Sequence, residues 1–517
     1  MDHGQAPSEV PHPRFGAVSN DDTNRVGSQP ALLAANHRGR DWEPSQGSHV
    51  SRRVLVVGGG IAGISAAIEA AEAGCDVVLV EREPHLGGRV AQMYQYFPKL
   101  CPPVCGLEIN LRRLRTSSRI QVHTLAQVDA VTGSPGQYRV SIRQQPRFIA
   151  ERCSGCGTCS SVCPVERPSG FDFGMTTSRA AYLAYPGAWP TRYAIDPSAC
   201  RGLPPHPGPL PATRGEGDAR SVHPGSLPAQ RGEGDARSVH PGPRPAQRGE
   251  GDARSAAGEG LCSLCVDACP CKAIDLSQQS RTFELDVAAV IWATGWTPYD
   301  PTRLTDLGFG TCKDIITNMM MERLASPHGP TGGRIVRPSN DKAPASIAFV
   351  QCAGSRDDAH LKYCSGLCCM ASAKQARYAR AQHPDAEIYI YYIDRRASGR
   401  QEGFLAETEQ DAKVHYVPGK VARVSVDADS PVVEVEDMGK GSKLKQKVDL
   451  VVLATGMVPS QANASLATDT YGFLVSQQPS LGQLAAGCAR EPMDVATVVR
   501  DATSAVLHAL EQCEVRK

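Results

Sequence analysis

"RVLVVGGGIAGISAAIEAAEAGCDVVLVE" occupies residues 53–81, and its reading decides the fold. Residues 53–58 are a short apolar run closing on glycine, as a buried strand does, and the Ala-rich 61–74 predicts a helix with Gly74 as its C-cap. DVVLVE at 76–81 reads as the next strand, so the stretch predicts a βαβ unit. Between the first strand and the helix stands GGGIAG, a G-x-G-x-x-G turn. Gly58 permits the tight turn, Gly60 lets backbone approach a pyrophosphate, and Gly63 allows the helix to pack closely on the strand. The helix N-terminus stabilises phosphate charge, and Glu81 at the end of the second strand is placed to accept hydrogen bonds from ribose hydroxyls. GGR at 87–89 adds a second loop able to approach phosphate. A glycine-rich turn without a ligand is the plainer alternative, but here strand, helix and acid are all in place.

Working outward, the 517 residues suffice for two to four domains with a sizeable core. The 55 Lys and Arg balance 54 Asp and Glu, which gives no bulk attraction to nucleic acid or to an anionic membrane. The longest apolar runs, such as 448–458, fall short of the roughly 18 residues of a membrane span. Residues 1–50 are polar and lack the apolar core of a signal peptide, so they read as a disordered tail. These features point to the cytoplasm, with any membrane association made through partner proteins. Nineteen cysteines in such a chain favour metal or redox chemistry over disulfides.

Cys153, Cys156, Cys159 and Cys163–Pro164 form C-x2-C-x2-C-x3-C-P. Cys262, Cys265 and Cys269–Pro270 supply the last three cysteines of a second such run, and Cys200 supplies the first. Residues 201–260, between them, carry near-copies of "GSLPAQRGEGDARSVHP" starting at Gly208, Gly225 and Gly242. With so few apolar side chains these 17-residue repeats cannot bury a core and read as a disordered insertion. The two runs resemble a bacterial two-cluster ferredoxin, which implies crossed pairing: Cys153, Cys156, Cys159 and Cys269 on one [4Fe–4S] cluster, and Cys163, Cys200, Cys262 and Cys265 on the other. Zinc is the competing metal, although the spacing suits clusters better. Cys271 is not expected to be a ligand.

Strands ending in ATG at 293–295 and 454–456 resemble those of two-dinucleotide-binding-domain flavoproteins, in which they return the chain to the FAD domain. LAAGCA at 484–489, ahead of a helix at 495–511, resembles the segment that sets a helix N-terminus near the flavin, with Cys488 where Asp is usual. The resemblance implies FAD contacts at Gly58, Gly60, Ile61, Ala62, Gly63, Glu81, Arg82, Gly87, Gly88, Arg89, Val128, Thr294, Gly295, Gly456, Gly487 and Cys488. A second βαβ unit is predicted from a strand at 346–351, a helix at 367–382 and a strand at 387–394. Where a nicotinamide nucleotide would need its own Gly-rich turn, the chain has Cys352, Cys364, Cys368 and Cys369 instead. Buried free cysteines on a helix are the plainer alternative, but adjacent positions 368 and 369 point about 100° apart, which disfavours both facing the core. Four thiolates from a strand end and a helix start can converge on a third cubane, and the helix N-terminus favours its negative charge.

The run from Phe349, "FVQCAGSRDDAHLKYCSGLCCMASAKQA", resembles the signature of the heterodisulfide reductase A-subunit family. The resemblance extends over most of the chain from residue 54 apart from the repeat, and implies that these four cysteines ligate a [4Fe–4S] cluster near the flavin. Within that family, residues 87–110 and "NMMMERLASPHGPTGG" at 318–333 look most like the A-subunit of the quinone-interacting membrane-bound oxidoreductase. That likeness implies two partners, a membrane quinone-reactive subunit plus a second flavo-iron–sulfur subunit, with adenylylsulfate reductase exchanging electrons. No nucleic-acid partner and no direct membrane span are expected.

The expected architecture is an α/β, Rossmann-like two-dinucleotide-binding-domain flavoprotein with an inserted two-cluster ferredoxin-like α+β domain. The FAD-binding domain takes 51–148, the ferredoxin-like insert 149–200 and 261–280, and a return strand 281–300. The second Rossmann-like domain takes 301–445 and the rest of the FAD domain 446–517. No acid–base or nucleophilic constellation stands out, which suits an electron-transfer oxidoreductase component. Arg89 and Lys99 are candidates to stabilise reduced-flavin charge, and Cys101 with Cys105 is a candidate redox pair. An NAD(P)H-dependent disulfide oxidoreductase, a component of a soluble heterodisulfide-reductase-like complex and a zinc-binding scaffold are the other readings.

Overall fold

Short, buried apolar runs build two parallel sheets in the computed structural model of the chain, which describes residues 52–97, 99–204, 262–397, 399–460, 464, 466–476 and 482–514. In the first sheet the strands lie in the order Gln483–Ala485, Ala289–Trp292, Arg53–Val57, Asp76–Glu81, Ile120–Thr124, all parallel. Side chains alternate across a strand, so Val54 and Val56 pack under the helices Ile61–Glu72 and Val495–Glu514. Leu55 and Val57 face the other way, onto an antiparallel three-stranded meander of Ala126–Ser134, Gln137–Gln144 and Arg281–Val287. Both faces being covered explains why the strands read as continuous apolar runs.

The second sheet repeats the plan. Its parallel order is Ile315–Thr317, Leu450–Thr455, Ser346–Ala353, Glu387–Tyr392, Val414–Pro418. Ile347 and Phe349 pack with Ala376 and Ala379 of the helix Cys368–Gln382. Ala348 and Val350 face a second meander of Val421–Asp427, Ser430–Asp437 and Ser442–Lys447. The antiparallel pair Trp296–Pro298 and Met457–Pro459 joins the two halves.

Two boundaries differ from the sequence reading. Leu450–Thr455, expected to belong to the FAD-binding half at 446–517, is a central strand of the second sheet, and the chain regains the first sheet only at Gln483–Ala485. A strand buried on both faces reads the same whichever sheet it joins, so the sequence does not distinguish them. The return segment 281–300 is three elements: Arg281–Val287 completes the antiparallel meander, Ala289–Trp292 enters the parallel sheet, and Trp296–Pro298 pairs with Met457–Pro459.

The insert is small. A bridge from Ile149 to Ile274 closes its base, two hairpins run Glu166–Pro168 to Thr177–Arg179 and Ala181–Tyr182 to Ala194–Ile195, and its helices are Thr158–Ser161 and Leu264–Ala268. The tail at 1–50 and the repeats within 201–260 lie outside the described residues. The described ends on either side of the repeats touch: a Cβ placed on Gly202 would lie 2.3 Å from the Cys262 carbonyl oxygen.

Candidate cofactor sites

The GGGIAG turn has the geometry that its glycines permit. Gly58 has φ +110° and a Cβ there would fall 2.2 Å from the Ala293 carbonyl oxygen, while one on Gly63 would fall 1.7 Å from the Gly58 carbonyl oxygen. Gly60, by contrast, faces open space, with only the Gly88 Cα 3.9 Å from its Cβ position. That space is the start of a cavity of about 470 Å³, within the size range of small-molecule and cofactor sites. Its lining includes Glu81 and Arg82, Gly88 and Arg89, Thr294 and Gly295, Cys488 and the start of the Val495–Glu514 helix. Three buried polar atoms of its lining residues have no protein partner: His85 Nδ1, Ser178 Oγ and Thr294 Oγ1. An open glycine cradle and unpartnered polar atoms around one cavity of this size fit a dinucleotide such as FAD.

Of the residues expected to bind it, Gly58, Gly60, Ile61, Ala62, Glu81, Arg82, Gly88, Arg89, Thr294, Gly295 and Cys488 line the cavity. Gly63, Gly87 and Gly487 act behind the lining by permitting close backbone approach: a Cβ on Gly487 would meet Ala62 Cβ at 2.9 Å. Two residues are elsewhere. Val128 is buried between the first sheet and its meander, because its strand faces the core at that position. Gly456 ends a strand of the second sheet, where a Cβ would meet Ser355 Oγ at 2.3 Å. Its ATG signature marks a buried strand end, and that strand belongs to the other sheet.

Glu81 is buried, and its carboxylate accepts from the Gly59 N–H at 2.5 Å and the Glu83 N–H at 2.8 Å. Burial dominates and pushes its pKa up to about 7. The Cys488 thiol is pushed up to about 12 by burial and lies 3.5 Å from the Met493 carbonyl, so it is a neutral group where a carboxylate would be charged. Arg89 donates to the Trp296 carbonyl at 3.2 Å and to Gln92 Oε1 at 3.0 Å, while Lys99 is exposed and does not line the cavity. Cys105 is exposed on the helix Pro103–Thr116 and Cys101 bridges to Tyr96, which lines the cavity, but neither cysteine reaches it.

Sequence reasoning missed a buried cation in the lining. Lys374, on the Cys368–Gln382 helix, lines the cavity while buried, and its ammonium lies 3.1 Å from Glu322 and 2.5 Å from the Gln95 carbonyl. Glu322 also accepts from the Gln375 amide at 2.7 Å and the Tyr94 N–H at 3.0 Å. Leu367, Met370 and Ala371 of the same helix start also line the cavity. A lysine within the predicted helix 367–382 and a glutamate in the stretch 318–333 were the available signal, but nothing in the spacing joined them.

The cysteines of the insert ring two small cavities. Cys153, Cys156, Cys159 and Cys269 line one, and Cys163, Cys200, Cys262 and Cys265 the other, so the crossed grouping appears in space. Cys271, not expected to be a ligand, also lines the first, its Sγ 3.4 Å from Ser154 Oγ. Among the described residues, no three Cys, His, Asp or Glu side chains close to the spacing of a single ion; the thiols surround space instead. Burial pushes Cys159 up to about 12 and Cys265 up to about 11, so both stay protonated until a metal draws the proton off.

The third group forms where the second sheet meets its helix. Cys352 sits at φ +56°, a left-handed conformation rare for a non-glycine residue, at an irregularity in the pairing of Ser346–Ala353 with Leu450–Thr455. Cys368 and Cys369 open the helix, and Cys352, Cys364 and Cys369 are all within electrostatic reach of Cys368. One small device recurs: the N–H of Gly155, Gly202 and Gly366 each donates to the Sγ of the cysteine two residues earlier, at 3.4, 3.4 and 3.3 Å. Hydrogen bonds to sulfur are one of the levers that set a cluster's potential.

Residues 53–141 match the family model for FAD-dependent oxidoreductases, and 146–166 match the 4Fe-4S binding domain. The chain is 33% identical over 466 residues to the A-subunit of the ferredoxin/F420H2-dependent CoB-CoM heterodisulfide reductase of Methanosarcina acetivorans, covering 87% of this chain and 51% of that protein. It is 31% identical over 503 residues to an iron-sulfur A-subunit of the CoB–CoM heterodisulfide reductase of Methanopyrus kandleri, covering 92% and 67%. The chain thus spans between half and two thirds of the length of these two relatives. Among solved structures, thioredoxin reductase from T. acidophilum aligns over 89% of this chain and 98% of that one, with 12% identity and a TM-score of 0.43.

Proposed function

The chain belongs to the heterodisulfide reductase A-subunit family, and from that premise we propose that it is an electron relay holding one FAD and three [4Fe–4S] clusters. The observation that carries this reading is the helix Cys368–Gln382. Its first turn belongs to the third cysteine group, and Leu367, Met370, Ala371 and Lys374 face the FAD cavity from the same helix start. The flavin, when bound, accepts electrons in pairs and passes them on singly, which is the chemistry that joins a two-electron donor to one-electron clusters.

The protein's own groups then have definable tasks. Lys374 presents a positive charge where reduced flavin gains negative charge, and Glu322 holds it there. Thr294 and the start of the Val495–Glu514 helix offer hydrogen-bond donors from the first half. Arg356, 2.7 Å from Asp394, and Arg396, at 3.2 Å from it, place guanidinium groups beside the third cysteine group.

The likeness of residues 87–110 and 318–333 to the quinone-linked branch supports adenylylsulfate reductase and a membrane quinone-reactive subunit in the role of electron partners. Among the described residues no helix is long and apolar enough to cross a membrane, so contact with quinone would run through that partner. Anaerobically purified protein is expected to carry about twelve iron and one FAD per chain and to show no flavin bleaching with NADH. Zinc in place of iron and acid-labile sulfide, or rapid bleaching by NADH, overturns the proposal. Native co-purification separates the branches: a haem-containing membrane protein supports the quinone-linked one, and a heterodisulfide reductase B–C pair the other.

A further inference from the structure

The ferredoxin-like insert supplies one wall of the FAD cavity, which carrying clusters does not require. Arg167, Ser178 and Tyr182 face the cavity from its hairpins. The Arg167 guanidinium lies 4.0 Å from the Tyr182 ring centre and 3.3 Å from Asp196, which fixes a cation in the cavity wall. Ser178 Oγ is one of the buried atoms without a partner.

The insert also holds the loop that carries Gly87 and Gly88. The Leu86 N–H donates to the Trp189 carbonyl at 2.8 Å, and its carbonyl accepts from the Tyr185 hydroxyl at 2.9 Å. The Gln92 amide donates to the Phe171 carbonyl at 3.1 Å. Withdraw the insert and this loop loses these three bonds, keeping those from the Gly87 N–H to the Gly59 carbonyl and from Arg89 to the Trp296 carbonyl.

The insert's own core is small, and sulfur is part of it. Of the nine buried residues in its core two are cysteines, Cys159 and Cys265, and its two helices have four and five residues. A core of that size needs metal or cross-links to stay folded. We propose that cluster occupancy of the insert and FAD affinity are coupled: the metal-folded insert presents Arg167, Ser178 and Tyr182 and pins the loop, and the cluster-free insert releases both. Loss of the clusters then sheds the flavin. This rests on the reading of the large cavity as the FAD site.

The test is an anaerobic titration of full-length, flavin-depleted protein with FAD, followed by flavin fluorescence. Wild type is compared with Cys265→Ser, which removes an insert ligand, and with the double variant R167A/S178A, which leaves every cysteine in place. Both are expected to bind FAD at least about tenfold more weakly, within the usual range of coupling between sites. R167A/S178A should keep wild-type iron content, so it keeps the question answerable if Cys265→Ser fails to fold. Affinities within about twofold of wild type in R167A/S178A, or in a folded Cys265→Ser that has lost iron, overturn the inference. Failure of wild type itself to bind FAD overturns the underlying reading instead.

Discussion

Lys374 is a buried cation whose one carboxylate partner, Glu322, is buried with it, so each residue has a structural and a functional consequence. Lys374→Met leaves Glu322 as an unpaired buried charge and is expected to lower stability by about 3–5 kcal/mol. It should also make the flavin harder to reduce. The double variant K374M/E322Q is expected to recover most of the stability but not the potential, read by thermal melting and by a spectroelectrochemical titration. A wild-type potential in the double variant would remove Lys374 from the flavin's electrostatics. Glu81 makes a prediction about pH. Its folded pKa, about 7, lies above the ordinary 4.5, so the folded protein holds a proton that the unfolded chain has released between those values. Stability of the flavin-free protein should therefore fall as pH rises from about 4.5 to about 7, by about 3 kcal/mol for this group alone. Glu81→Gln should flatten that part of the curve in denaturant melts at several pH values; an unchanged slope assigns it to other groups.

At the scale of the element, the helix Cys368–Gln382 joins the third cysteine group to the FAD cavity. Replacing Cys368 and Cys369 by Ser is expected to remove about four of about twelve iron per chain while FAD is retained, measured by metal analysis and flavin extraction. Unchanged iron would mean that these thiols are packing residues. This helix was legible in the sequence as the middle of a βαβ unit, its adjacent cysteines stood out because they point about 100° apart, and the insert's cysteines stood out by their spacing. Lys374 with Glu322 was not, since their meeting depends on how Asn318–Ala325 packs on the cysteine helix. Nor was the strand Leu450–Thr455 assignable, because burial on both faces erases the alternation that tells one sheet from another. A further readable signal stands in the triplets Cys153-Ser-Gly155, Cys200-Arg-Gly202 and Cys364-Ser-Gly366, one in each cysteine group, which set an N–H against sulfur.

Across the whole molecule, one plan is used twice: a five-stranded parallel sheet with helices on one face and an antiparallel meander on the other. The first copy keeps glycines at its leading strand end and the second has cysteines there, so the crevice that is open backbone in one half is lined by thiols in the other. The insert bridges the copies, since Phe171 accepts from Gln92 while its neighbour Asp172 holds Arg323 at 2.8 Å. Because the chain ends flanking the repeats meet at Gly202 and Cys262, residues 205–261 are expected to be dispensable. Their replacement by a four-residue Gly-Ser link should keep full iron and FAD, with stability unchanged or raised by up to about 2 kcal/mol from the shorter loop. Loss of the iron held by Cys200 and Cys262 would show that the segment helps to build the site. That junction is also a socket. A fused redox protein or a surface-binding peptide planted there would be wired next to the Cys163, Cys200, Cys262 and Cys265 group without crossing either sheet, so that an applied voltage could address the flavin from outside.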